Sequence, residues 1–316
     1  MGVGKNGKPF KLFRFLLQSV DPVHVGVGGY RLGRVDLPIA RDPATNLPKL
    51  PGTGISGAAR HYAALRYGKP QCAGQGSEDT GHCGNSKCPI CYTFGSLKTK
   101  KRGEEEGSAA GTVRIFDARI LLFPVYSMLG PVWVTSPQTL EDFGLKPVPR
   151  IPQEKVLVSK GVKNNTGVLN LGWLVQEIEG EFELESLEKD SGIKGLMEKI
   201  PSLVKERLVL ISDELFGIVV NSNLEVRTSV SIDPETGAAK EGALFTYEAI
   251  PRATFFWLDV VENDYRSYSS ASENHPVSPI DVVTSGIEWF EYLGVGGMST
   301  RGFGRLKKLG RWEVQV

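Results

Sequence analysis

The 316-residue chain lacks the long apolar run that a membrane-spanning helix requires. Its first residues, Met1 to Pro9, contain no apolar core of a secretory signal peptide, so cytoplasmic residence is expected. The net charge is only +1, which argues against a protein that binds nucleic acid over a uniformly basic surface. A hydrophobic content of 41% is sufficient for a globular protein with a large core.

The glycine-rich loop from Gly294 to Arg305 lacks the standard nucleotide-binding patterns. No Gly-Lys-Ser/Thr follows it, which excludes a Walker motif, and it lies after a predicted helix and before a predicted strand, which excludes the dinucleotide-binding arrangement. Glycines in such a loop allow the main chain to approach a phosphate closely, with Arg301 as the counter-charge. The alternative is a loop that merely needs positive φ angles.

Cysteine is also scarce, and its few copies are clustered. All four cysteines lie between residues 72 and 91, in the pattern Cys83-x4-Cys88-x2-Cys91 with Cys72 upstream. In a cytosolic protein this short spacing favours tetrahedral zinc over disulfides, and four thiolates form a closed, structural site. His82 is a candidate substitute for one of the thiolates. Free buried thiols are the alternative.

The segment from Pro22 to Arg60 combines several features that suit contact with a phosphate chain. His24 lies in a glycine-rich stretch, Asp36 lies between turn-forming residues, and a second glycine loop opens a helix that carries Arg60. Free backbone amides and a positive helix end attract phosphates. An Asp/His pair can serve proton transfer or metal-assisted activation of a hydroxyl, although a lone loop aspartate is more often a turn or cap residue. The segment favours RNA binding, with cleavage left open.

The predicted elements alternate between strands and helices. Strands are expected over Lys11–Val20, Thr112–Val125, Thr246–Val261 and Gly302–Val316, helices over Gly57–Tyr67, Ser136–Phe143, Ile193–Leu208 (broken near Pro201) and from Ser278, and a β-hairpin over Leu224–Leu244. A cysteine-bearing insertion is expected over 69–95 and an irregular insertion over 146–171. The order of strands and helices predicts an α+β, ferredoxin-like (RRM-like) core within a single domain that covers 1–316.

Segments spread along nearly the whole chain, taken together, resemble one family. They include Val35-Asp-Leu-Pro-Ile39, Leu50-Pro-Gly-Thr-Gly-Ile-Ser-Gly-Ala-Ala-Arg60, Val113-Arg-Ile-Phe-Asp-Ala-Arg119, Ile232-Asp-Pro-Glu-Thr-Gly237 and Gly296-Gly-Met-Ser-Thr-Arg-Gly-Phe-Gly304. The chain resembles the RAMP-superfamily backbone subunits of type III CRISPR effector complexes, most closely the fourth subunit of the Cmr (III-B) module. The cysteine insertion looks more like that of the Csm-module backbone subunit.

The resemblance implies a modified RRM-like palm with a β-hairpin thumb over residues 221–245. Copies would stack along a CRISPR RNA with other type III effector subunits, and target RNA would be cut beside each thumb with the help of a divalent cation, magnesium or manganese. Asp36 matches the catalytic aspartate of the family, and His24, Tyr247 and Glu248 match nearby positions. The implied RNA contacts are Gly52, Gly54, Ser56, Arg60, Gly296, Gly297, Arg301, Gly302 and Phe303.

The chain departs from the family at one motif. Family members usually carry a lysine in a Ser-x-Lys-Gly pattern at the helix start, whereas here Ser56 directly precedes Gly57. The guide contact is therefore expected to be weaker or to be supplied by Arg60. Two alternatives stay open: a scaffold subunit that binds RNA without cutting it, and a zinc-dependent enzyme that acts on small molecules.

Overall fold

The structure is a computed structural model that describes residues 10–28, 35–74, 82–85, 87–97, 100–101, 104–105, 108–162, 165–189, 193–240, 244–263 and 277–315. The strands are β1 (Lys11–Ser19), β2 (Lys49–Leu50), β3 (Gly95–Ser96), β4 (Lys100–Lys101), β5 (Glu104–Glu105), β6 (Ala109–Ala110), β7 (Val113–Ile115), β8 (Ala118–Ser127), β9 (Gly130–Thr135), β10 (Lys155–Val158), β11 (Val168–Leu171), β12 (Leu174–Glu181), β13 (Leu208–Leu210), β14 (Glu225–Ser229), β15 (Phe245–Ala249), β16 (Phe255–Glu262) and β17 (Leu306–Val314). The helices are α1 (Gly52–Arg66), α2 (Pro89–Phe94), α3 (Pro137–Phe143), α4 (Leu184–Lys189), α5 (Leu196–Lys199), α6 (Ser202–Lys205), α7 (Asp213–Ser222), α8 (Pro279–Glu288) and α9 (Phe290–Leu293). Parts of the predicted cysteine insertion (75–81 and 86), of the irregular insertion (163–164) and of the hairpin (241–243) lie outside the described residues.

The core of the fold is an antiparallel sheet in the order β8-β16-β1-β17. Helix α1 connects β1 to β8, and helix α8 connects β16 to β17. This is the β-α-β-β-α-β order of a ferredoxin-like fold, and the predicted α+β class is confirmed. Strand β1 is apolar on both sides because both faces of the sheet are covered: Phe15 packs in one core cluster and Leu16 in the other.

Helices α1 and α8 lie together in the first of these clusters, and they approach each other unusually closely. A β-carbon placed on Gly286 of α8 would lie only 2.1 Å from the carbonyl oxygen of Ala59 in α1. Only glycine fits at this crossing, because the nearest atom belongs to the backbone and cannot rotate away. The position of α1 relative to the sheet is therefore fixed by a backbone contact.

The sheet continues beyond β8 through β9, β13, β10, β12 and β11 with both parallel and antiparallel pairs, so the complete sheet is mixed. The prediction that residues 146–171 form an irregular insertion is wrong in this respect, because this segment contains the sheet strands β10 and β11. The helix predicted over Ile193–Leu208 is two short helices, α5 and α6, separated at Pro201. Residues 208–210, at its end, form strand β13.

Strands β14 and β15 form a separate antiparallel hairpin. Beyond them the two arms approach again at a turn, where the Asp233 amide donates to the Ala238 carbonyl over 2.8 Å. The predicted strand Thr246–Val261 is in fact two strands, β15 and β16, with Ala253 between them at a φ of 65°. At its root the hairpin contacts the N-terminal loop through single bridges, Leu37 to Tyr247 and Val23 to Ile250.

Two helix starts illustrate local and distant control of the fold. Ser136 caps α3 as predicted, since its hydroxyl accepts a hydrogen bond from the Thr139 amide. Helix α1 begins at Gly52, five residues before the predicted start, because the Gly52 amide donates to the Asp117 carboxylate over 2.8 Å. Among the described residues, no helix is long and apolar enough to cross a membrane.

Candidate functional site

Asp36 lies against the root of the hairpin and is held by Thr246 of β15. Its Oδ2 atom accepts hydrogen bonds from the Thr246 amide (2.7 Å) and hydroxyl (2.9 Å), and the Asp36 amide lies 3.1 Å from that hydroxyl. These bonds, the backbone one first, hold the pKa of the Asp36 carboxyl below its usual value. Its Oδ1 atom has no hydrogen-bond partner among the described residues. The site therefore offers an ionised, half-buried carboxylate with one oxygen that no described residue hydrogen-bonds.

Thr246 and Glu248 lie on one side of β15, and together they fix the segment that carries Asp36. Glu248 is 7% exposed and forms an ion pair of 2.9 Å with Arg41, and its Oε2 atom also accepts from the Ile39 amide. The Arg41 guanidinium continues to the Asn221 side chain at 3.0 Å. Glu248, a predicted catalytic residue, is thus engaged in a buried ion pair that anchors the loop.

His24 is buried and connects β15 to the C-terminal glycine loop. Its Nδ1 atom lies 2.6 Å from the Glu248 carbonyl, which can only accept, so Nδ1 carries the proton. The Gly297 amide donates to the His24 carbonyl over 2.8 Å, and a β-carbon at Gly296 would lie 2.5 Å from that same oxygen. The predicted phosphate-binding glycines Gly296 and Gly297 therefore have a packing role against His24.

Tyr247 points to the other side of β15 and packs in an aromatic cluster. It makes an edge contact with Phe303, whose ring centroid lies 5.6 Å away. Phe303 is 2% exposed and the Arg227 guanidinium lies 4.7 Å above its ring, so Phe303 is buried in this structure and its contact with RNA stays a prediction. Tyr247 is 5% exposed, which places it beside the site rather than on its surface.

Cationic side chains cover this cluster on the outside. Arg301 is exposed, lies 5.3 Å above the Phe245 ring and reaches the Ser229 hydroxyl at 3.5 Å, while Gly302 follows it with a φ of 80° in open space. Arg227 of β14 joins it and was missed in the sequence, as were Arg41 and Thr246. Alternation along β14 could have indicated Arg227, but no local signal shows that Thr246 reaches Asp36.

The start of α1 lies next to the His24 segment. A β-carbon at Gly54 would lie 3.9 Å from the Val25 side chain, and Gly54 is exposed while Ser56 is half-buried. Gly52 is different: it is buried, and a β-carbon there would lie 2.5 Å from the Ile115 carbonyl oxygen. Gly52 is required for packing, so it is not an exposed RNA contact.

Arg60 contacts the cysteine insertion. Its Nε atom donates to the Cys72 carbonyl over 2.8 Å, and burial lowers the pKa of its guanidinium, an effect that the four cysteine sulfurs oppose. Arg60 thus has a partner in the cysteine insertion, and its predicted contact with the guide stays a prediction.

The four cysteines converge as predicted. The Sγ atoms of Cys72, Cys83, Cys88 and Cys91 all lie within 4.8 Å of one another, with individual separations of 3.6, 3.7 and 3.9 Å. A tetrahedral zinc ion with bonds of about 2.3 Å requires sulfur–sulfur distances of about 3.8 Å. The cluster has the geometry of a closed zinc site, and a hydrogen bond with Cys91 lowers the pKa of the Cys88 thiol to about 4.

His82 does not belong to the cluster, so its prediction as a substitute ligand is wrong. Its Nε2 atom contacts the Gly74 carbonyl and its Nδ1 atom accepts from the Leu97 amide over 3.2 Å. Both ring nitrogens are engaged by the backbone, and burial lowers the pKa of the imidazole, which keeps it neutral.

The hydrogen bonds at Asp36 give a direct test of the site's electrostatics. Thr246→Val removes the hydroxyl donor and keeps the backbone donor, so the pKa of Asp36 is expected to rise towards its usual value. A carboxyl titration followed by carbon NMR measures this shift, and Thr246→Ser is the matched control that retains the hydroxyl. Because the folded pKa is lowered, the stabilisation from ionised Asp36 is lost as the pH falls through that value. An unchanged pKa in Thr246→Val would contradict the assignment.

The fold and the site together define an α+β protein of the ferredoxin-like class with a hairpin arm, a carboxylate at the root of that arm and a four-cysteine cluster. The family model of the RAMP superfamily matches residues 16–307. The chain belongs to the RAMP superfamily.

Curated relatives and solved structures agree with this assignment. The chain is 27% identical over 303 residues to the CRISPR system Cmr endoribonuclease Cmr4 of Pyrococcus furiosus, with 92% of each chain covered. It is 37% identical over 76 residues, 23% of this chain and 28% of the relative, to the Cms endoribonuclease Csm3 of Methanothermobacter thermautotrophicus. The structure of oligomeric Cmr4 from Pyrococcus furiosus superposes with a TM-score of 0.63 at 22% identity, over 97% of this chain and 99% of that one. A type III-B Cmr-beta complex bound to cognate target RNA contains a chain that superposes with a TM-score of 0.61 at 16% identity, over 94% of this chain and 97% of that one.

Proposed function

We propose that this protein is a CRISPR RNA-binding backbone subunit of a type III effector complex that cuts guide-paired target RNA at regular intervals. The superfamily match over residues 16–307 and the similarity to Cmr4 along 92% of the chain support the class. The observation that carries the catalytic part is the ionised carboxylate of Asp36, held by Thr246 at the root of the hairpin with one oxygen free.

The hairpin is the proposed thumb, since β14 and β15 leave the sheet and Asp36 lies at their base. A thumb that displaces one nucleotide frees the RNA backbone there from regular helical geometry. The 2′-hydroxyl can then attack the adjacent phosphorus: a 2′-oxygen–phosphorus bond forms and the phosphorus–5′-oxygen bond breaks. The hydroxyl proton passes to water and the departing 5′-oxygen takes a proton from water, so the products are a 2′,3′-cyclic phosphate and a 5′-hydroxyl. Positioning of these atoms supplies much of the rate.

Asp36 acts on this reaction through its free oxygen, which orients the 2′-hydroxyl or holds a divalent cation, magnesium or manganese. Such a cation would stabilise the charge that develops on the phosphate oxygens. His24 and Glu248 act indirectly, because their hydrogen bonds fix the loop and strand on either side of Asp36. Tyr247 supports the strand from its other side.

The proposed partners follow from the same assignment. They are CRISPR RNA, target RNA, further copies of the chain in a helical stack, and other type III subunits. The exposed guanidinium of Arg301 and the start of α1 near Gly54 and Ser56 are the proposed RNA contacts of the palm.

Reconstitution with a defined guide tests the proposal. The chain, assembled with a CRISPR RNA and its partner subunits, is incubated with a labelled complementary RNA and a divalent cation. Products at a constant spacing are expected, and a noncomplementary RNA is the control. Target binding without any product would support the alternative, a scaffold that does not cut, and the absence of any guide binding would contradict both.

We further propose that the four cysteines hold one structural zinc ion, which the sulfur–sulfur separations support. Because the cluster packs with Ala63 of α1 and Val282 of α8, the ion stabilises the contact of the insertion with the palm.

Zinc removal is expected to loosen the insertion without directly stopping cleavage. After chelation, hydrogen exchange should accelerate in α2 and in residues 70–72, which pack with the cysteines. Helix α3 packs in the core cluster of Leu16 instead, so its amides should keep their protection. Metal analysis should find about one zinc per chain before chelation. Loss of cleavage in a fully assembled, zinc-free complex would contradict a purely structural role.

A further inference from the structure

Arg60 belongs to the helix whose start is a proposed RNA contact, but its side chain contacts the cysteine insertion. Its Nε atom donates to the carbonyl of Cys72, one of the four clustered cysteines, over 2.8 Å. The side chain thus connects the helix directly to the backbone of the metal site.

The other end of the guanidinium is buried without a partner. The Nη2 atom is buried from solvent and has no hydrogen-bond partner among the described residues. A buried donor without a partner is costly, unless a charge of opposite sign lies nearby. The four-cysteine cluster can supply such a charge, and the guanidinium adjoins it at Cys72.

The charge of a loaded site explains this arrangement. Four thiolates around a Zn²⁺ ion leave a net negative charge on the cluster, and burial makes that charge expensive without a compensating cation. Arg60 supplies a cation that is always protonated. Groups that contact metal ligands from outside commonly orient the ligands and tune affinity.

A second outer contact completes the arrangement. The His82 ring contacts the carbonyl of Gly74, two residues after Cys72. Arg60 and His82 therefore hold the same short turn at two nearby carbonyls, those of Cys72 and Gly74. His82 is neutral, so only Arg60 adds charge.

We infer that Arg60 is a positioning residue for the four-cysteine metal site: it fixes the Cys72 backbone, offsets the negative charge of the loaded cluster and couples metal occupancy to helix α1. The inference rests on the proposed zinc site. It assigns Arg60 to the metal site and removes it from the RNA-binding surface.

Zinc affinity of the full-length chain tests the inference. Arg60→Gln is compared with the wild type and with Arg66→Gln, a matched control on the same helix whose guanidinium pairs with Glu288 instead. Zinc is competed against a chromophoric chelator, and cobalt spectra report whether four thiolates still bind the metal. Arg60→Gln is expected to weaken zinc binding by about 10- to 100-fold with a four-thiolate cobalt spectrum, and Arg66→Gln to match the wild type.

Arg60→Lys keeps the charge but lacks the Nε donor, so its zinc affinity is expected to be intermediate. Should Arg60→Gln fail to fold, this variant decides, and a wild-type affinity would overturn the inference. A zinc affinity of Arg60→Gln within about twofold of the wild type overturns it as well, since outer contacts of this kind normally cost more.

RNA binding separates the two roles of Arg60. In zinc-loaded protein, the slope of RNA affinity against salt should be unchanged in Arg60→Gln, whereas Arg301→Ala should reduce it by about 0.7 for a single strand. A reduced slope in Arg60→Gln would return the residue to the RNA surface. If the wild type binds no zinc, the proposed metal site itself fails; if it binds zinc and Arg60→Gln binds equally well, only the inference fails.

Discussion

Replacing Asp36 with asparagine is expected to lower the rate of target RNA cleavage by about 10²- to 10⁴-fold, the usual contribution of a positioned acid–base group. Asparagine has nearly the same shape, and its amide oxygen can still accept from the Thr246 amide and hydroxyl. The local structure should persist while the negative charge is lost. Single-turnover cleavage in the assembled complex measures the effect, and target affinity, measured in parallel, should stay unchanged.

Asp42 provides the matched control for this experiment. It lies in the same loop, and its carboxyl pKa is also lowered, chiefly by hydrogen bonds from the Thr45 and Ala44 amides. These bonds make Asp42 a turn residue, so Asp42→Asn is expected to cut at close to the wild-type rate. Wild-type cleavage by Asp36→Asn would show that another group carries the chemistry.

Gly286→Ala is expected to destabilise the protein by about 3 kcal/mol or more, at the upper end of the range for overpacked cores. The new β-carbon would meet the Ala59 carbonyl oxygen at 2.1 Å, so the two helices must separate. The midpoint of thermal unfolding reports the loss. Because α1 leads into the Arg60 contact, zinc affinity should also fall.

Gly57→Ala is the control on the partner helix. A β-carbon at Gly57 meets no atom within 4 Å, and the residue is exposed within α1. Alanine should therefore stabilise the helix by about 0.5–1 kcal/mol. Equal effects of the two substitutions would contradict the close approach of α1 and α8.

The elements that were predicted correctly depend on neighbouring residues. Ser136 and Pro137 begin a helix by capping alone, and β1 is recognisable because the apolar residues at its centre fall on both faces of the strand. Helix α1 was placed too late because its first turn, Gly52-Thr53-Gly54, has the composition of a loop. The partner that stabilises it, Asp117, is distant in the sequence.

In the candidate site, too, some features could be predicted from the sequence and others depend on distant residues. The resemblance brought Asp36, His24 and β15 into one site, and the structure places them together. It could not show which side chains face solvent: Phe303 is buried beneath Arg227, and Arg60 turns to the cysteines. Both outcomes depend on contacts between residues far apart in the chain, which composition and periodicity do not encode.

The hairpin formed by β14 and β15 has a consequence for how this protein can diverge. Its strands pair with each other, and they contact the rest of the fold along β15 and through Arg227 and Ser229 of β14. Adding or removing one residue in each arm beyond Ser229 and Phe245 changes the reach of the hairpin by about 3.4 Å and leaves the Asp36 contact untouched. A change in one arm alone would reverse the facing of every side chain beyond it. Arm length can therefore evolve in paired steps, separately from the chemistry at its base.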